Sequence, residues 1–268
     1  MSRPPSKGHW TRKFWIGLLT LALSLVPTLG GATAARAQEL LVSAAISLKE
    51  AMEEVGRQFQ QDHPGVIVRF NLGASGDLQK QIEAGAPVDV FLSAAQRQMD
   101  LLEQQQLLLP GSRRVVARNV LTLIVPADSR LDLRRVEDLS RREVQRVVLG
   151  NPKTVPVGQY TEECLRSLGL WEVLRAKFVL AENVRQVLEY VARAEVDAGF
   201  VYTTDLLARP GAVKEAVRPP QASYSPVTYP GAVVRASRQP VLALALLGLL
   251  MSPAGQQVLA RHGFQPPS

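Results

Sequence analysis

The chain has 268 residues, of which 46% are hydrophobic, 21% charged and 6% aromatic, and it carries a formal charge of +7. This balance is typical of a folded globular protein and excludes an intrinsically disordered chain. A single Cys in the whole chain excludes an internal disulfide framework and cysteine-based zinc or iron–sulfur sites.

Residues 1–37 have the pattern of a signal peptide. A basic start precedes an apolar run of 13 residues, Phe14–Val26, and Ala35-Arg36-Ala37 fits the small-x-small cleavage site, with cleavage before Gln38. The run is shorter than the ~20 residues that span a bilayer. Retention of this segment as a membrane anchor is the alternative. Since no Cys lies near the cut, we expect no lipid attachment of the bacterial lipoprotein kind.

Most of the positive charge belongs to this segment. Residues 1–37 contain five of the 31 basic residues and none of the 24 acidic ones, so the remaining 231 residues carry a net +2. The sequence pI of about 9.8 would otherwise suggest nucleic-acid binding. We therefore expect a soluble, exported protein with no nucleic-acid partner.

From residue 40 onward, strand patterns alternate with helix patterns. Strands are predicted at 40–44, 66–70, 88–92, 120–125, 147–150, 178–181, 197–202, 213–218 and 227–235. Helices are predicted at 47–63, 76–84, 93–106, 136–144, 159–168, 171–176, 183–191, 238–250 and 253–262. Such alternation predicts α/β architecture with parallel strands and right-handed crossovers, and a second alternating unit begins near residue 119.

Several strand-to-helix junctions carry residues suited to an anion. They lie at Ser47, at 73–76, at 156–158, at 183–184 and at Tyr202. Each junction offers free backbone N–H groups and the positive end of a helix dipole. Each also has a purely structural interpretation, with the serines and Asn183 as N-caps and Tyr202 as a core residue. Gly73-x-x-Gly76 alone does not indicate a phosphate site, because neither a Walker lysine nor a dinucleotide glycine pattern is present.

At these junctions the sequence resembles the periplasmic molybdate-binding proteins of ABC uptake systems. The matching stretches follow the family's order and are VSAAISLKEAM (42–52), LQKQIEAGAPVDVFLSA (78–94), GNPKTVPVGQY (150–160), AENVR (181–185), GFVY (199–202) and RHGF (261–264). They span nearly all of the chain after residue 37.

The resemblance implies a two-lobed periplasmic binding protein in which each lobe is a mostly parallel sheet flanked by helices. The chain would cross between the lobes twice through hinge strands. Lobe one would comprise 38–118 plus 229–268, and lobe two would comprise 119–228. The implied oxyanion ligands are the side chains of Ser47 and Ser75, the main-chain N–H groups of Val157 and Val184, and the hydroxyl of Tyr202.

The expected activity is capture of molybdate, and of tungstate with it, for delivery to an ABC transporter permease by a periplasmic monomer. No catalytic residue, cofactor or direct cation ligand is expected, because the metal arrives as its oxyanion. A binding protein of the same fold for sulfate, phosphate or another small anion is the alternative. An exported serine hydrolase is a third hypothesis, but His63 and His262 do not lie at the junctions and no G-x-S-x-G elbow exists. Cys164 is expected to be a buried structural thiol.

Overall fold

The computed structural model describes residues 38–267. The predicted signal peptide, 1–37, lies outside the described residues. The strands are β1 (Gln38–Ala45), β2 (Val66–Gly73), β3 (Val90–Leu92), β4 (Arg114–Asn119), β5 (Leu121–Pro126), β6 (Val147–Gly150), β7 (Phe178–Ala181), β8 (Ala198–Tyr202), β9 (Val213–Val217) and β10 (Val227–Val233). The α-helices are α1 (Lys49–Asp62), α2 (Ser75–Glu83), α3 (Gln96–Gln104), α4 (Pro156–Ser167), α5 (Trp171–Leu174), α6 (Val184–Ala192), α7 (Pro240–Met251) and α8 (Pro253–Arg261).

The strands form two five-stranded sheets. The first sheet has the order β2-β1-β3-β10-β4 and the second has the order β7-β6-β8-β5-β9. In each sheet four strands run in one direction, while β10 in the first and β5 in the second run against their neighbours. The chain passes between the sheets twice, from β4 to β5 and from β9 to β10. The predicted α/β class with two mostly parallel sheets and two crossings is confirmed.

Apolar patterning explains why these segments pair and pack. The six residues of β5 and the five of β8 are all buried, as expected for strands covered on both faces. In α1 the apolar residues at helical spacing, Met52, Val55 and Phe59, are buried against the sheet side. Packing of this kind places α1 and α2 on the first sheet and α4 and α6 on the second.

Two local predictions differ from the structure. The strand β4 was not predicted, because its sequence RVVARN mixes charged and apolar residues. The helix predicted at 136–144 is only a 3-10 segment, Val136–Ser140, and the charged residues that follow it are exposed. Cys164, by contrast, is fully buried as expected.

Within residues 38–267, no single helix is long and apolar enough to cross a membrane. In this described part of the chain, α7 and α8 reach that length and hydropathy only when taken together, and they are bent by 65° at the break between them.

Candidate functional site

A small cavity lies between the helices of the first sheet and those of the second. It is lined by Ala45, Ile46, Ser47, Gly73, Ala74, Ser75, Ala94, Val155, Pro156, Val157, Val184 and Tyr202. The space open to the centre of a water-sized sphere is about 10 Å³, close to the ~10–15 Å³ that one water needs. All five residues named from the sequence therefore line one cavity.

Helix N-termini build most of this lining. Ser75 is the first residue of α2, Val157 the second of α4 and Val184 the first of α6. Ser47 lies in the 3-10 segment that leads into α1, and Tyr202 is the last residue of β8. Because the first N–H groups of a helix have no carbonyl partner within the helix, these termini present N–H donors and positive dipole ends to the cavity.

Neither serine hydroxyl caps a helix, so the N-cap interpretation is wrong for both. The Oγ of Ser47 lies 3.0 Å from the hydroxyl of Tyr229 in β10. The Oγ of Ser75 accepts a hydrogen bond of 3.0 Å from the N–H of Ala94. For Asn183 the cap is confirmed, because its side chain accepts from the N–H of Gln186 at 3.0 Å.

The Tyr202 side chain is only 1% exposed, and its hydroxyl has no hydrogen-bond partner among the described residues. Burial raises the pKa of Tyr202 well above its ordinary value, so the hydroxyl keeps its proton. A buried donor without a partner is rare in folded proteins and calls for an explanation. An anion held in the cavity would supply the acceptor.

Charged side chains lie next to the residues that line the cavity and do not line it themselves. Arg185 follows Val184 and pairs with Glu50 of α1 at 3.0 Å. It also lies 4.0 Å from the fully buried carboxylate of Asp205, which accepts from the N–H of Tyr202 at 3.0 Å. Burial raises the pKa of Asp205 to about 6, against the opposing effect of Arg185 and of the Tyr202 N–H.

The cavity lacks the groups that serine hydrolysis needs. Among residues 38–267, no histidine contributes to its lining. The ring of His63 contacts the carbonyl oxygen of Phe59 and that of His262 contacts Glu54. A serine nucleophile without a neighbouring base is not activated.

Three contributors to the site, Asn119, Thr154 and Tyr229, were missed from the sequence. Gly76 of α2 donates its N–H to the carbonyl oxygen of Thr154 at 2.9 Å, which joins the two sides of the cleft. Tyr229 and Asn119 lie behind Ser47. Asn119 ends β4, a strand that the sequence did not predict, and nothing in the pattern marks Tyr229 or Thr154.

The sequence profile of the bacterial extracellular solute-binding proteins matches residues 40–265. The chain belongs to this family. As a member of a family of transport proteins, it is a solute-binding protein and not an enzyme.

Two relatives and one solved structure are informative. A molybdate-binding protein of Haemophilus influenzae is 34% identical over 243 residues, which cover 90% of this chain and 94% of the relative. A Bacillus subtilis protein named as a substrate-binding lipoprotein of an ABC transporter is 34% identical over 84% of this chain and 85% of its own length. The periplasmic molybdate-binding protein of Azotobacter vinelandii superposes with a TM-score of 0.77 at 26% identity, covering 85% of this chain and 100% of that one.

Proposed function

We propose that this protein captures molybdate, and tungstate with it, in the cavity between the two sheets and delivers it to the permease of an ABC importer. One observation carries the proposal. The lining combines two serine hydroxyls, an unpartnered tyrosine hydroxyl and three helix N-termini, and no charged side chain contributes to it among the described residues.

In this proposal the oxyanion accepts hydrogen bonds from the five residues named from the sequence. The donors are the hydroxyls of Ser47, Ser75 and Tyr202 and the N–H groups of Val157 and Val184. Hydrogen bonds to a charged group contribute ~1.5–3 kcal/mol each, so several of them offset the cost of removing a dianion from water. Neutral donors hold the ion without a buried cation that would bind any anion and release it slowly.

A lining made of donors favours a fully deprotonated ion. Hydrogenphosphate carries a proton that would face another donor, and sulfate is smaller, so some donor distances would be stretched. Molybdate and tungstate share charge and nearly share size, which is why both are included. The names of the relatives support molybdate.

The cavity is too small and too closed for an oxyanion with four oxygens to enter it. The two sides of the cleft must therefore move apart before the ion can bind. We infer hinge closure around the ion, with lobe one as 38–118 plus 229–268 and lobe two as 119–228. Sheet membership supports this division, because β1 to β4 and β10 share one sheet and β5 to β9 the other. We further propose an exported periplasmic monomer whose signal peptide is cleaved before Gln38, which the intact mass of the secreted protein tests.

The test is a melting-temperature series on protein purified from the periplasm of a bacterial host that expresses the full chain. Molybdate, tungstate, sulfate and phosphate are compared at equal ionic strength, with chloride as the control. An ion at ~100 times its Kd adds ~2.7 kcal/mol of stability, so molybdate and tungstate should raise the melting temperature clearly. A shift with sulfate or phosphate and none with molybdate or tungstate would overturn the proposal.

A further inference from the structure

A chain of buried hydrogen bonds ends at Ser47, on the wall of the cavity. The N–H of Val120 donates to Oδ1 of Asn119 at 2.9 Å, and Nδ2 of Asn119 donates to the hydroxyl oxygen of Tyr229 at 3.2 Å. The Tyr229 hydroxyl lies 3.0 Å from Oγ of Ser47. Asn119 is 5% exposed, Tyr229 0% and Ser47 5%, so these side chains are largely shielded from bulk water.

Each step of this chain has a direction. A backbone N–H can only donate, so the Val120 N–H identifies the Asn119 atom it meets as the carbonyl oxygen. The hydroxyl of Thr203, at 3.1 Å, contacts the same oxygen. The amide nitrogen of Asn119 therefore faces Tyr229 and donates to it.

The hydroxyl of Tyr229 has one proton to donate. Burial raises the pKa of Tyr229, so this proton is retained. Because its oxygen already accepts from Asn119, the proton goes to its other partner among the described residues, Oγ of Ser47. The Oγ of Ser47 therefore accepts a hydrogen bond from Tyr229, and the Ser47 hydroxyl proton can be donated to an ion in the cavity.

We propose that Asn119 and Tyr229 are positioning residues that orient the Ser47 hydroxyl as a donor to the bound oxyanion. This inference rests on the proposed function. The Ser75 hydroxyl is oriented in the same way by the N–H of Ala94, which donates to its Oγ. Both serines thus present protons, and a protonated anion finds no acceptor in either of them. Asn119 ends β4 and Tyr229 lies in β10, so both of the strands that lead to and from the crossings take part.

A double-mutant cycle tests the inference by titration calorimetry with sodium molybdate. Tyr229→Phe should weaken binding by about 2- to 10-fold, the worth of one neutral hydrogen bond, and Ser47→Ala by about 10- to 100-fold. Adding Tyr229→Phe to Ser47→Ala should change the Kd no further, because the tyrosine acts through the serine. The same fold loss in both backgrounds would overturn the inference and assign Tyr229 a packing role.

Selectivity gives an independent readout. Without the Tyr229 donor the Ser47 hydroxyl is free to turn and accept, so Tyr229→Phe should narrow the preference for molybdate over inorganic phosphate. An equal loss for both ions would contradict the inference. Tyr224→Phe is the matched control, since this buried tyrosine bonds Gln221 at 3.2 Å outside the cavity.

A substitute variant is available, and failure of the proposed function can be told apart from failure of this inference. If Tyr229→Phe does not fold, Asn119→Ala interrupts the chain one step earlier and goes through the same cycle. If the unaltered protein binds none of the ions, the proposed function fails and this inference fails with it. If the unaltered protein binds molybdate and the cycle is additive, only this inference fails.

Discussion

Glu50 of α1 and Arg185 of α6 form an ion pair of 3.0 Å across the cleft, one from each side of the cavity. The arginine side chain is 18% exposed and that of the glutamate 42%. Arg185 directly follows Val184, so the pair holds α6 against α1 next to an N–H donor of the proposed site. Glu50 lies only three positions from Ser47 in the sequence, yet its partner is Arg185 on the other side of the cleft.

Breaking this pair should speed release of the ion. Because the glutamate is partly exposed, we expect Glu50→Gln to weaken molybdate binding by no more than about 5-fold, through a faster off-rate. Stopped-flow measurement of molybdate release gives this off-rate. Glu162→Gln is the control, since it breaks a pair with Arg166 within α4. An equal off-rate change in both variants would show that the Glu50–Arg185 pair does not hold the cleft closed.

Gly76 allows the two sides of the cleft to approach. A Cβ at this position would lie 2.6 Å from the carbonyl oxygen of Thr154 and 2.7 Å from its Cα. Gly76→Ala should therefore prevent full closure and weaken binding by about 10-fold or more, the worth of at least one hydrogen bond to the ion.

The ligand-free melting temperature of Gly76→Ala should stay the same or rise, because Ala favours a helix over Gly. Gly248→Ala is the control, since no heavy atom lies within 4 Å of its added Cβ. Unchanged affinity in Gly76→Ala would show that closure does not require this contact.

Tyr202→Phe should affect stability and binding in opposite directions. The variant removes a buried hydroxyl that has no partner among residues 38–267, so the ligand-free protein should gain up to about 1 kcal/mol. Molybdate binding should weaken by about 10-fold, because one donor to a charged acceptor is lost. Calorimetry and denaturant unfolding measure the two effects, with Tyr190→Phe in α6 as control. Retained affinity would exclude this hydroxyl as a ligand.

Val184→Pro tests a main-chain donor directly. Val184 is the first residue of α6, a position that accepts proline, and Asn183 before it has φ −161° and ψ 169°, which suits a residue preceding proline. The variant should fold and bind molybdate about 10-fold more weakly, since only an N–H donor is lost. Val184→Ala keeps the N–H and should bind nearly as well. If the proline variant binds as well as the alanine variant, the N–H of Val184 is not a ligand.

Asp205 should give a pH-dependent stability that Asp205→Asn lacks. Burial raises its pKa from 3.8 to about 6, so the folded protein holds this proton more tightly than the unfolded chain does. Its contribution to stability is therefore present below pH 4 and is lost as the pH rises through 6. The unfolding free energy of the unaltered protein, relative to the variant, should fall by on the order of 2–3 kcal/mol between pH 4 and 7.

Asp138→Asn provides a control of opposite sign. The pKa of Asp138 is lowered, chiefly by the N–H of Arg134 and despite partial desolvation. Its contribution is present above the ordinary carboxyl range and is lost as the pH falls. Denaturant unfolding at several pH values measures both variants. If the unfolding free energy of the unaltered protein relative to Asp205→Asn stays constant or rises between pH 4 and 7, burial does not raise the pKa of Asp205.

Much of the fold followed from local patterning. Apolar runs such as Leu121–Val125 and Phe200–Val201 form strands because burying them removes them from water wherever they pair. The helix start at Asn183 could also be predicted, because its cap involves a residue only three positions away. Resemblance to a family then pointed to five residues that line one cavity.

The roles of the polar side chains were decided by tertiary structure. Ser47 has the spacing of a capping residue, yet its partner is Tyr229, 182 positions away. Glu50 likewise bonds Arg185 across 135 residues, and Gly76 meets Thr154. A hydroxyl or carboxylate bonds whichever partner the folded chain brings within about 3 Å, and local sequence carries no record of that distance. The sequence alone determined most of the strands and helices, with β4 and the 3-10 segment Val136–Ser140 as exceptions, whereas the packing of the two sheets determined which protons face the cavity.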